Sequence, residues 1–459
     1  MRPSLLTLLR VLWKRRALEA ACRWTRPELE RQQGQRLLAL RRFSMERSPF
    51  YQRFHRGLEH QPLDALPVLT KAVMMENFDD LVTDRAVRLA DAEAFLRGES
   101  TVELFRRRYV VLATSGSTGR RGIFLFDPQE WLTVLAMITR PLAWAGPGGS
   151  PRTRSRSAMV ASTTPSHYST RIGASLSSPL LPALRLDAAE PLTTIVRRLN
   201  EWQPDVLAAY PSVLKQLAEE QIAGRLQIRL RSVNTSAEVL SEETRRRVRR
   251  AWGVKVFDTY GATEYAPIAA ECAYGRKHLV EDGAIIEVVD DRGRPVPAGE
   301  RGDRLLLTVF NRRTQPLIRY EISDMVRPLD GECACGRPFR LIESIEGRVE
   351  DILYFPRRSH PASDPDPVAV HPNAFHDVLE TVPATGWQVR QEDEGLSISL
   401  VGLQDSSVCE ALAVSVRQML EAKGAAVGAI HVRAVAGLER GATGKTPLIL
   451  AKAKRRLQR

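Results

Sequence analysis

The segment Ala113-Thr114-Ser115-Gly116-Ser117-Thr118-Gly119 places hydroxyl side chains and glycines next to one another in a short stretch of chain. The glycines allow backbone conformations that a Cβ atom would forbid, so several peptide N–H groups can point at one anion. The serine and threonine hydroxyls add further donors. The segment therefore predicts a loop that binds a polyphosphate. A solvated loop with ordinary turn chemistry would use the same residue types, and this segment lacks both the glycine spacing and the Gly-Lys-Ser/Thr ending of a Walker loop.

The residues on either side predict a stiff support for this loop. The apolar run Arg108-Tyr-Val-Val-Leu-Ala113 leads into it, and Gly122-Ile-Phe-Leu-Phe126 leads out of it, each with the composition of a short strand. Further downstream, the runs Ala284–Val289 and Arg304–Val309 flank a turn and predict a β-hairpin. Strand-like and helical segments alternate through the first three quarters of the chain, which predicts an α/β fold.

Three further motifs follow the loop in order along the chain. They are Asp258-Thr-Tyr-Gly-Ala-Thr-Glu264, Ile318-Arg-Tyr-Glu-Ile-Ser-Asp324 and Glu346-Gly-Arg-Val-Glu-Asp351, and Gly444-Lys445 comes near the C-terminus. Together these segments resemble the motifs of the adenylate-forming superfamily, which includes acyl-CoA synthetases, luciferases and the adenylation domains of peptide synthetases.

Within that superfamily, the sequence is most similar to the branch of phenylacetate-CoA ligase and coenzyme F390 synthetase. The segments that carry this similarity are Ser48-Pro-Phe-Tyr51, Leu66-Pro-Val-Leu-Thr-Lys71 and His371-Pro-Asn-Ala-Phe375. The sequence departs from the branch in two places. The phosphate loop continues as Gly119-Arg-Arg-Gly122 where relatives have Gly-Lys-Pro, and residues 355–367 form an insertion.

The resemblance implies a fold of two unequal parts. Residues 1–345 would form a large, multi-layer α/β adenylation domain, and residues 353–459 a small, mobile α+β lid domain. The segment 346–352 would be the hinge, with Asp351 at the hinge position, and rotation about it would separate two half-reactions. An ordinary turn between two domains is the alternative explanation of the hinge segment.

The activity implied is ATP-dependent activation of a carboxylic acid, aromatic in this branch, followed by transfer to CoA. A carboxylate is a poor acyl donor, and coupling it to AMP provides a good leaving group. An alternative is transfer of the acyl group to an amine, a hydroxyl or the thiol of a carrier protein in natural-product biosynthesis. A more remote alternative is a basic, zinc-stabilised binding protein without catalytic activity.

The resemblance also implies roles for individual residues. Glu264 would hold Mg²⁺ through oxygen, Thr263 would hydrogen-bond a phosphate, and Lys445 would supply positive charge in the transition state. Asp324, helped by Arg348, would accept hydrogen bonds from the ribose hydroxyls. The other predicted nucleotide contacts are Thr114, Ser115, Gly116, Ser117, Thr118 and Gly119 in the loop, and Ser236, Ala237, Glu238, Asp258, Tyr260 and Gly261 around the base. Considered alone, Thr-Glu after a Tyr-Gly turn is more typical of a helix start, and most lysines are simply solvated.

The acid-binding pocket is the least defined part of the prediction. The segment Ser166-His-Tyr-Ser-Thr170 resembles the acyl-pocket region of the branch, so His167 and Tyr168 are the candidates for contact with the acid. A structural histidine is an equally good explanation of His167.

The chain contains five cysteines, too few and too scattered for a disulfide framework, which indicates a reducing, cytoplasmic compartment. Cys272, His278, Cys333 and Cys335 together offer three thiolates and an imidazole, the donors of a closed structural Zn²⁺ site. Free buried thiols are the alternative. Cys22 and Cys409 are isolated.

The net charge of +13 on 459 residues favours an anionic partner, which could be nucleic acid, a membrane face, or the phosphates of a nucleotide and CoA. The sequence contains no recognisable nucleic-acid module, and no apolar run reaches the roughly 18 residues of a transmembrane helix. We expect the basic, apolar residues 1–16 to form a helix that docks on the body of the protein, with contact to an anionic membrane as the alternative. The segment Ser241-Glu-Glu-Thr resembles a helix cap with an acidic first turn, and the run Arg245–Arg250 after it predicts a solvated helix face. The oligomeric state is open, with a homodimer as one option.

Overall fold

The structure is a computed structural model, and it describes residues 5–98, 104–114, 121–144, 155–176, 182–348, 351–358, 367–379, 381–382, 384, 386–393, 395–403, 405, 407–439 and 446–452. The N-terminal part is helical, as predicted. Its helices are α1 (Leu5–Glu19), α2 (Arg26–Arg47), α3 (Pro49–Phe54), α4 (Lys71–Glu76), α5 (Phe78–Leu81) and α6 (Leu89–Arg97), with 3₁₀ turns at Ala20–Arg23 and Leu63–Ala65.

The start of α2 shows how local sequence sets these boundaries. The Thr25 side chain accepts a hydrogen bond from the Glu28 backbone N–H, and the Glu28 carboxylate accepts one from the Thr25 backbone N–H. This reciprocal pair satisfies two of the N–H groups that every helix N-terminus leaves without a partner.

The predicted strands around the phosphate loop are confirmed. Strands β1 (Val110–Ala113) and β2 (Ile123–Phe126) pair antiparallel, with Ala113 opposite Ile123, and all of their side chains are buried. Helices α7 (Pro128–Thr139) and α8 (Pro141–Trp144) follow.

A nine-stranded sheet forms the centre of the next region. The elements that build its parallel half are β3 (Ser157–Ala161), α9 (Tyr168–Leu176), β4 (Ala183–Asp187), α10 (Leu192–Trp202), β5 (Val206–Ala209), α11 (Pro211–Ile222), β6 (Ser232–Ser236), α12 (Glu242–Trp252) and β7 (Val256–Tyr260). Its antiparallel half contains β8 (Ala269–Glu271), β9 (Lys277–Leu279), β13 (Asp324–Leu329) and β14 (Leu341–Arg348). The strand order is β13-β14-β9-β8-β7-β6-β5-β3-β4. The sheet therefore places motifs that are distant in sequence on neighbouring strands.

A three-stranded antiparallel sheet lies between β9 and β13 in sequence and contains β10 (Ala284–Val289), β11 (Arg304–Val309) and β12 (Tyr320–Ile322). Ala284 pairs with Val309 and Val289 with Arg304, so the predicted hairpin is confirmed in its full length.

The C-terminal residues pack around a hydrophobic cluster of their own, which runs from Leu353 to Ile449. The elements are β15 (Leu353–Phe355), β16 (Val368–Val370), α13 (Pro372–Leu379), β17 (Gly386–Glu392), β18 (Gly395–Val401), α14 (Val408–Ala422), β19 (Ala429–Ala434) and β20 (Ile449–Leu450). A core separate from those of the larger part is what a lid able to move as a unit requires.

The arginine-rich helix α12 differs from the prediction. Its Ser241 cap and acidic first turn are present as predicted, but the face is not simply solvated. Arg245 pairs with the buried carboxylate of Glu271, and Arg247 pairs with Glu219 on α11. The prediction is wrong for these two arginines because carboxylates on adjacent elements hold their guanidinium groups.

A buried ion pair joins the N-terminal helices to the body. Arg140, at the end of α7, donates two hydrogen bonds to Asp282, at 2.7 and 2.8 Å, and both side chains are buried. The same guanidinium donates to the Leu18 carbonyl near the end of α1, at 3.0 Å. The pair therefore fixes α1, α7 and the loop before β10 together.

We expect Asp282→Ala to lower the free energy of unfolding by about 3–5 kcal/mol, because Arg140 would remain buried without its counter-ion. The matched control is Glu46→Ala, which removes the exposed pair with Arg42 and should cost under about 0.5 kcal/mol. Chemical denaturation of both variants checks the difference, and equal effects would contradict the role assigned to the pair.

Candidate active site

A cleft of about 970 Å³ opens where β6 and β7 end and where β14 leads into the C-terminal region. Parallel strands end at one edge of a sheet, and this edge is where α/β folds bind their ligands. Eight residues predicted from the sequence line the cleft: Ala237, Glu238, Asp258, Tyr260, Gly261, Asp324, Arg348 and Asp351. Ser236 is the last residue of β6, directly before this group.

The carboxylate of Asp324 is held from two sides. The Tyr260 hydroxyl donates to Oδ2 at 2.5 Å, and the Arg348 Nε–H donates to Oδ1 at 3.2 Å. Pairing of β13 with β14 puts Asp324 directly opposite Arg348. Burial and the neighbouring Asp324 raise the pKa of Tyr260, which therefore stays a phenol that can donate. Because each oxygen keeps a free lone pair, Asp324 can accept hydrogen bonds from a diol.

Asp258 is committed to an ion pair on the floor of the cleft. Lys277 Nζ donates to Asp258 Oδ2 at 2.5 Å, and both side chains are largely buried. Asp258 therefore contributes no net negative charge to the predicted base pocket, which suits a cleft that must bind phosphates.

Glu238 connects the cleft to the C-terminal region. Its carboxylate accepts hydrogen bonds from the Ser212 backbone N–H at 3.0 Å and from the Thr446 backbone N–H at 3.4 Å. Ala237, just before it, has a φ of 75°, a conformation that is unfavourable for a residue with a Cβ atom and that is concentrated at functional sites. Lys445 and Gly444 lie outside the described residues, but Thr446 is the next residue in the chain.

Glu264 is buried in the loop that follows β7, and Thr263 beside it is half-buried. The Tyr320 hydroxyl donates to Glu264 Oε1 at 3.1 Å. Burial raises the pKa of Glu264, and the positive charge of Lys71 opposes that rise. A buried carboxylate of this kind gains from binding a cation that restores its lost solvation.

The phosphate loop itself falls mainly on residues that the structure does not describe, from Ser115 to Arg120. Its base is described. The Gly122 backbone N–H donates to Thr114 Oγ1 at 2.8 Å, and the Thr114 N–H donates to the Gly122 carbonyl at 2.9 Å. These bonds bring the two ends of the loop together.

Tyr168 begins α9 and His167 directly precedes it, and neither residue is among those that line the cleft. His167 Nδ1 is 2.7 Å from Ser162 Oγ, and Tyr168 donates to the Ala266 carbonyl at 3.4 Å. Ala266 follows the Thr263–Glu264 pair closely in sequence, so Tyr168 lies near that loop. Their contact with an acid stays a prediction.

Sequence reasoning missed Arg312. Its guanidinium is buried 3.8 Å from the centre of the Phe126 ring, and Nη2 donates to Gln315 at 3.2 Å. Within the described residues, Nε and Nη1 have no hydrogen-bond partner. Burial lowers the pKa of Arg312 to about 10, so it stays charged at neutral pH, and the charge of Glu264 opposes that shift. The Asn-Arg-Arg-Thr sequence resembles an exposed turn and gave no signal of burial.

The four predicted zinc ligands come together at the β8–β9 hairpin, to which Cys272 and His278 belong. The ligand atoms of Cys272, His278, Cys333 and Cys335 all lie within 4.8 Å of one another. The two Sγ atoms of Cys272 and Cys333 are 3.7 Å apart, and Cys335 Sγ is 3.3 Å from His278 Nε2. Tetrahedral Zn–S bonds of about 2.3 Å would separate two sulfurs by roughly 3.8 Å, so the donors fit zinc. Burial lowers the pKa of His278 to about 4, which leaves its imidazole neutral, as a ligand must be.

Comparison with known proteins agrees with this geometry. The family model described as AMP-binding enzyme matches residues 106–306. A phenylacetate-coenzyme A ligase of Thermus thermophilus is 27% identical over 72% of this chain and 72% of its own length. A crystal structure of 2-hydroxyisobutyryl-CoA ligase in the postadenylation state, in complex with 2-HIB-AMP, has a TM-score of 0.69 and 19% identity, covering 92% of this chain and 88% of that one. The same ligase in the thioesterification state, with 2-HIB-AMP and CoA, has a TM-score of 0.57 and 19% identity, covering 94% and 91%.

Residues 106–306 therefore match the AMP-binding enzyme family, and the fold of the chain is that of 2-hydroxyisobutyryl-CoA ligase. The relatives that the comparison finds include phenylacetate-coenzyme A ligases of Thermus thermophilus and Escherichia coli, the branch that the motifs of this chain resemble. None of the described helices is both long and apolar enough to cross a membrane.

We expect Glu264→Gln to raise the melting temperature at neutral pH. The raised pKa of Glu264 means that its ionised form is less favourable in the folded than in the unfolded chain, and a neutral amide of the same shape removes that cost. The gain should disappear as the pH falls toward the usual carboxyl range, where the wild-type side chain is itself protonated. Melting curves across pH check this, and a variant destabilised at neutral pH would contradict it.

Proposed function

We propose that the chain activates an aromatic carboxylic acid with ATP as an acyl-AMP and then transfers the acyl group to CoA. The observation that carries this proposal is the cleft in which Asp324 is held between Tyr260 and Arg348, within a chain that matches the AMP-binding enzyme family. The relative from Thermus thermophilus, a phenylacetate-coenzyme A ligase, supports the aromatic acid and CoA.

In the first half-reaction a carboxylate oxygen of the acid attacks the α-phosphorus of ATP, and pyrophosphate leaves. In the second, the CoA sulfur attacks the acyl carbonyl carbon, its proton is lost, and AMP leaves. Different charged and polar groups of the chain would bind different parts of ATP. Asp324 would hold the ribose, the loop at 114–119 and Thr263 would hold phosphates, and Lys445 would stabilise the charge that develops at the α-phosphate.

Glu264 would hold a magnesium ion, which offsets phosphate charge when bound. Its buried position, with one hydrogen bond from Tyr320, leaves carboxylate lone pairs for such a ligand.

The segment 346–352 would be the hinge between the two half-reactions, with Asp351 at its turning point. The contact of Thr446 with Glu238 supports a pose in which this part of the C-terminal region lies at the nucleotide cleft. The higher TM-score to the postadenylation state than to the thioesterification state supports assigning this arrangement to the first half-reaction.

The experiment that tests this function is acid-dependent exchange of labelled pyrophosphate into ATP, screened over arylacetic, benzoic and aliphatic acids. We expect exchange with an aromatic acid and thioester formation when CoA is added. Exchange without thioester formation would move the acceptor to an amine, a hydroxyl or a carrier-protein thiol. Folded protein that supports exchange with none of the acids would refute adenylation.

Two variants should separate the half-reactions. Lys445→Ala should reduce acyl-AMP formation on the order of a hundredfold, the scale of one preorganised electrostatic contact, while transfer from preformed acyl-AMP persists. Asp351→Pro should do the reverse, because a fixed φ angle hinders rotation at the hinge and leaves the first pose intact. Single-turnover measurements of each half-reaction check this, and equal losses in both variants would contradict a two-pose mechanism.

The cluster of Cys272, His278, Cys333 and Cys335 would hold a structural zinc ion. Its closed set of four protein donors leaves no position for a substrate, so its contribution is to stability. All five cysteines are free, which supports a reducing, cytoplasmic setting.

Purified protein should therefore contain about one zinc ion per chain. Cys333→Ser should remove it and lower the melting temperature, while acid-dependent exchange per folded molecule changes little. The matched control is Cys409→Ser, a partly buried cysteine outside the cluster, which should leave the zinc content unchanged. Metal analysis of both proteins checks this, and a wild-type chain without zinc would refute the site.

A further inference from the structure

Helix α1 is apolar on two opposite sides. Thr7, Leu8 and Val11 are buried on the side that packs against α7, as the predicted docking requires. On the other side, four large apolar side chains remain exposed. Their exposed fractions are 61% for Leu6, 54% for Leu9, 50% for Leu12 and 73% for Trp13.

These exposed residues form one continuous face. Leu6, Leu9 and Trp13 follow the i, i+3, i+7 spacing that places side chains in a row along a helix, and Leu12 lies beside Leu9. Single exposed leucines are common on protein surfaces, but a row of four large apolar side chains on one helix marks an interaction site. We call these four residues the outer face of α1.

The charged residues of α1 that precede Glu19 are all basic. Arg10 and Arg16 are exposed on α1, and Lys14 and Arg15 are half-buried. From Leu5 to Leu18 the sequence contains no acidic residue. Glu19, the first one, is paired with Arg15 at 3.3 Å. The outer face is therefore apolar, with basic residues along its margins.

An apolar face with basic residues beside it favours some binding partners over others. A second copy of the chain would bring the same basic residues close together, and each chain already carries a net charge of +13. An anionic lipid surface accepts both features, since its headgroups attract the arginines and its interface accommodates leucine and tryptophan side chains. The helix has 15 residues, which suits a position in the plane of the interface.

We propose that the outer face of α1 binds the surface of an anionic lipid bilayer and holds the enzyme there as a peripheral protein. Leu6, Leu9, Leu12 and Trp13 enter the interface, and Arg10 and Arg16 contact lipid phosphates. The buried side of α1 and the bond from Arg140 to the Leu18 carbonyl keep the helix attached to the body when its other side meets lipid. This binding does not depend on the acid or on the acyl acceptor.

The test is flotation of the full chain with vesicles of phosphatidylcholine alone and of phosphatidylcholine mixed with phosphatidylglycerol. We expect binding to the anionic vesicles, little binding to the neutral ones, and weakening when salt is raised to about 1 M, where the Debye length shrinks to about 3 Å. Leu9→Gln with Trp13→Gln should reduce binding on the order of a hundredfold, since each removes one large apolar side chain from the interface. Arg10→Gln with Arg16→Gln should reduce binding to anionic vesicles and leave the weak neutral binding unchanged.

The matched control is Leu38→Gln on α2, which alters an apolar side chain that is 68% exposed elsewhere on the surface. It should bind vesicles as the wild type does. All variants change exposed side chains, and unchanged melting curves would show that they fold. The proposal is overturned if the wild type does not float with anionic vesicles, or if Leu38→Gln loses binding as strongly as the α1 variant. It is also overturned if sedimentation shows a dimer that the α1 variant dissociates while vesicle binding is absent.

Discussion

The position of the Asp324 carboxylate is the constraint around which the nucleotide cleft is built. Asp324 begins β13, Tyr260 ends β7, and Arg348 ends β14, so three segments of one sheet converge on its two oxygens. Strands β8 and β9 lie between β7 and β14 in the sheet and therefore set the distance between those two strands. A group that must accept hydrogen bonds from a ligand has to be held in place before binding. Otherwise the entropy lost when the group becomes ordered would weaken the binding free energy. The sheet provides that order.

The sequence predicted those parts of the fold that depend on local patterns. The strands around the phosphate loop, the hairpin of β10 and β11 and the cap of α12 follow from apolar runs and turn residues, and all were found. The convergence of Ala237, Tyr260 and Asp324 on one cleft was implied by the resemblance to the adenylate-forming superfamily, since no local pattern encodes strand order. Contacts between distant segments were not predictable. Arg245 and Arg312 occur in runs that suggest exposed turns or helix faces, and only the tertiary structure gives them a buried carboxylate or an aromatic ring as neighbour.

Buried charges beside the cleft lower the stability of the folded protein, and the proposed site would require them. Glu264 has its pKa raised by burial, and Arg312 keeps two nitrogen atoms without partners among the described residues. If only folding stability mattered, apolar side chains of similar volume could stand in place of such groups, often without any loss of stability. The proposed site for phosphates and a metal ion would need these charges in place before the ligands bind, since reorientation during the reaction would raise the barrier. Local instability at Glu264 is therefore consistent with a binding role.

The contacts between the two parts of the chain fit a lid that must release. Thr446 meets Glu238 through a long hydrogen bond of 3.4 Å, and Arg301 Nη1 is 2.6 Å from His371 Nε2. Burial lowers the pKa of His371, so the ring is neutral and can accept from Arg301 near neutral pH. Polar contacts such as these exchange for water at little net cost, whereas a continuous apolar interface would hold the parts together.

The hydrophobic cluster of the C-terminal part contains only residues of that part, from Leu353 to Ile449. Rotation at 346–352 would therefore leave that core intact. Strong packing within each part and polar contact between them is the distribution of stability that a two-pose enzyme requires.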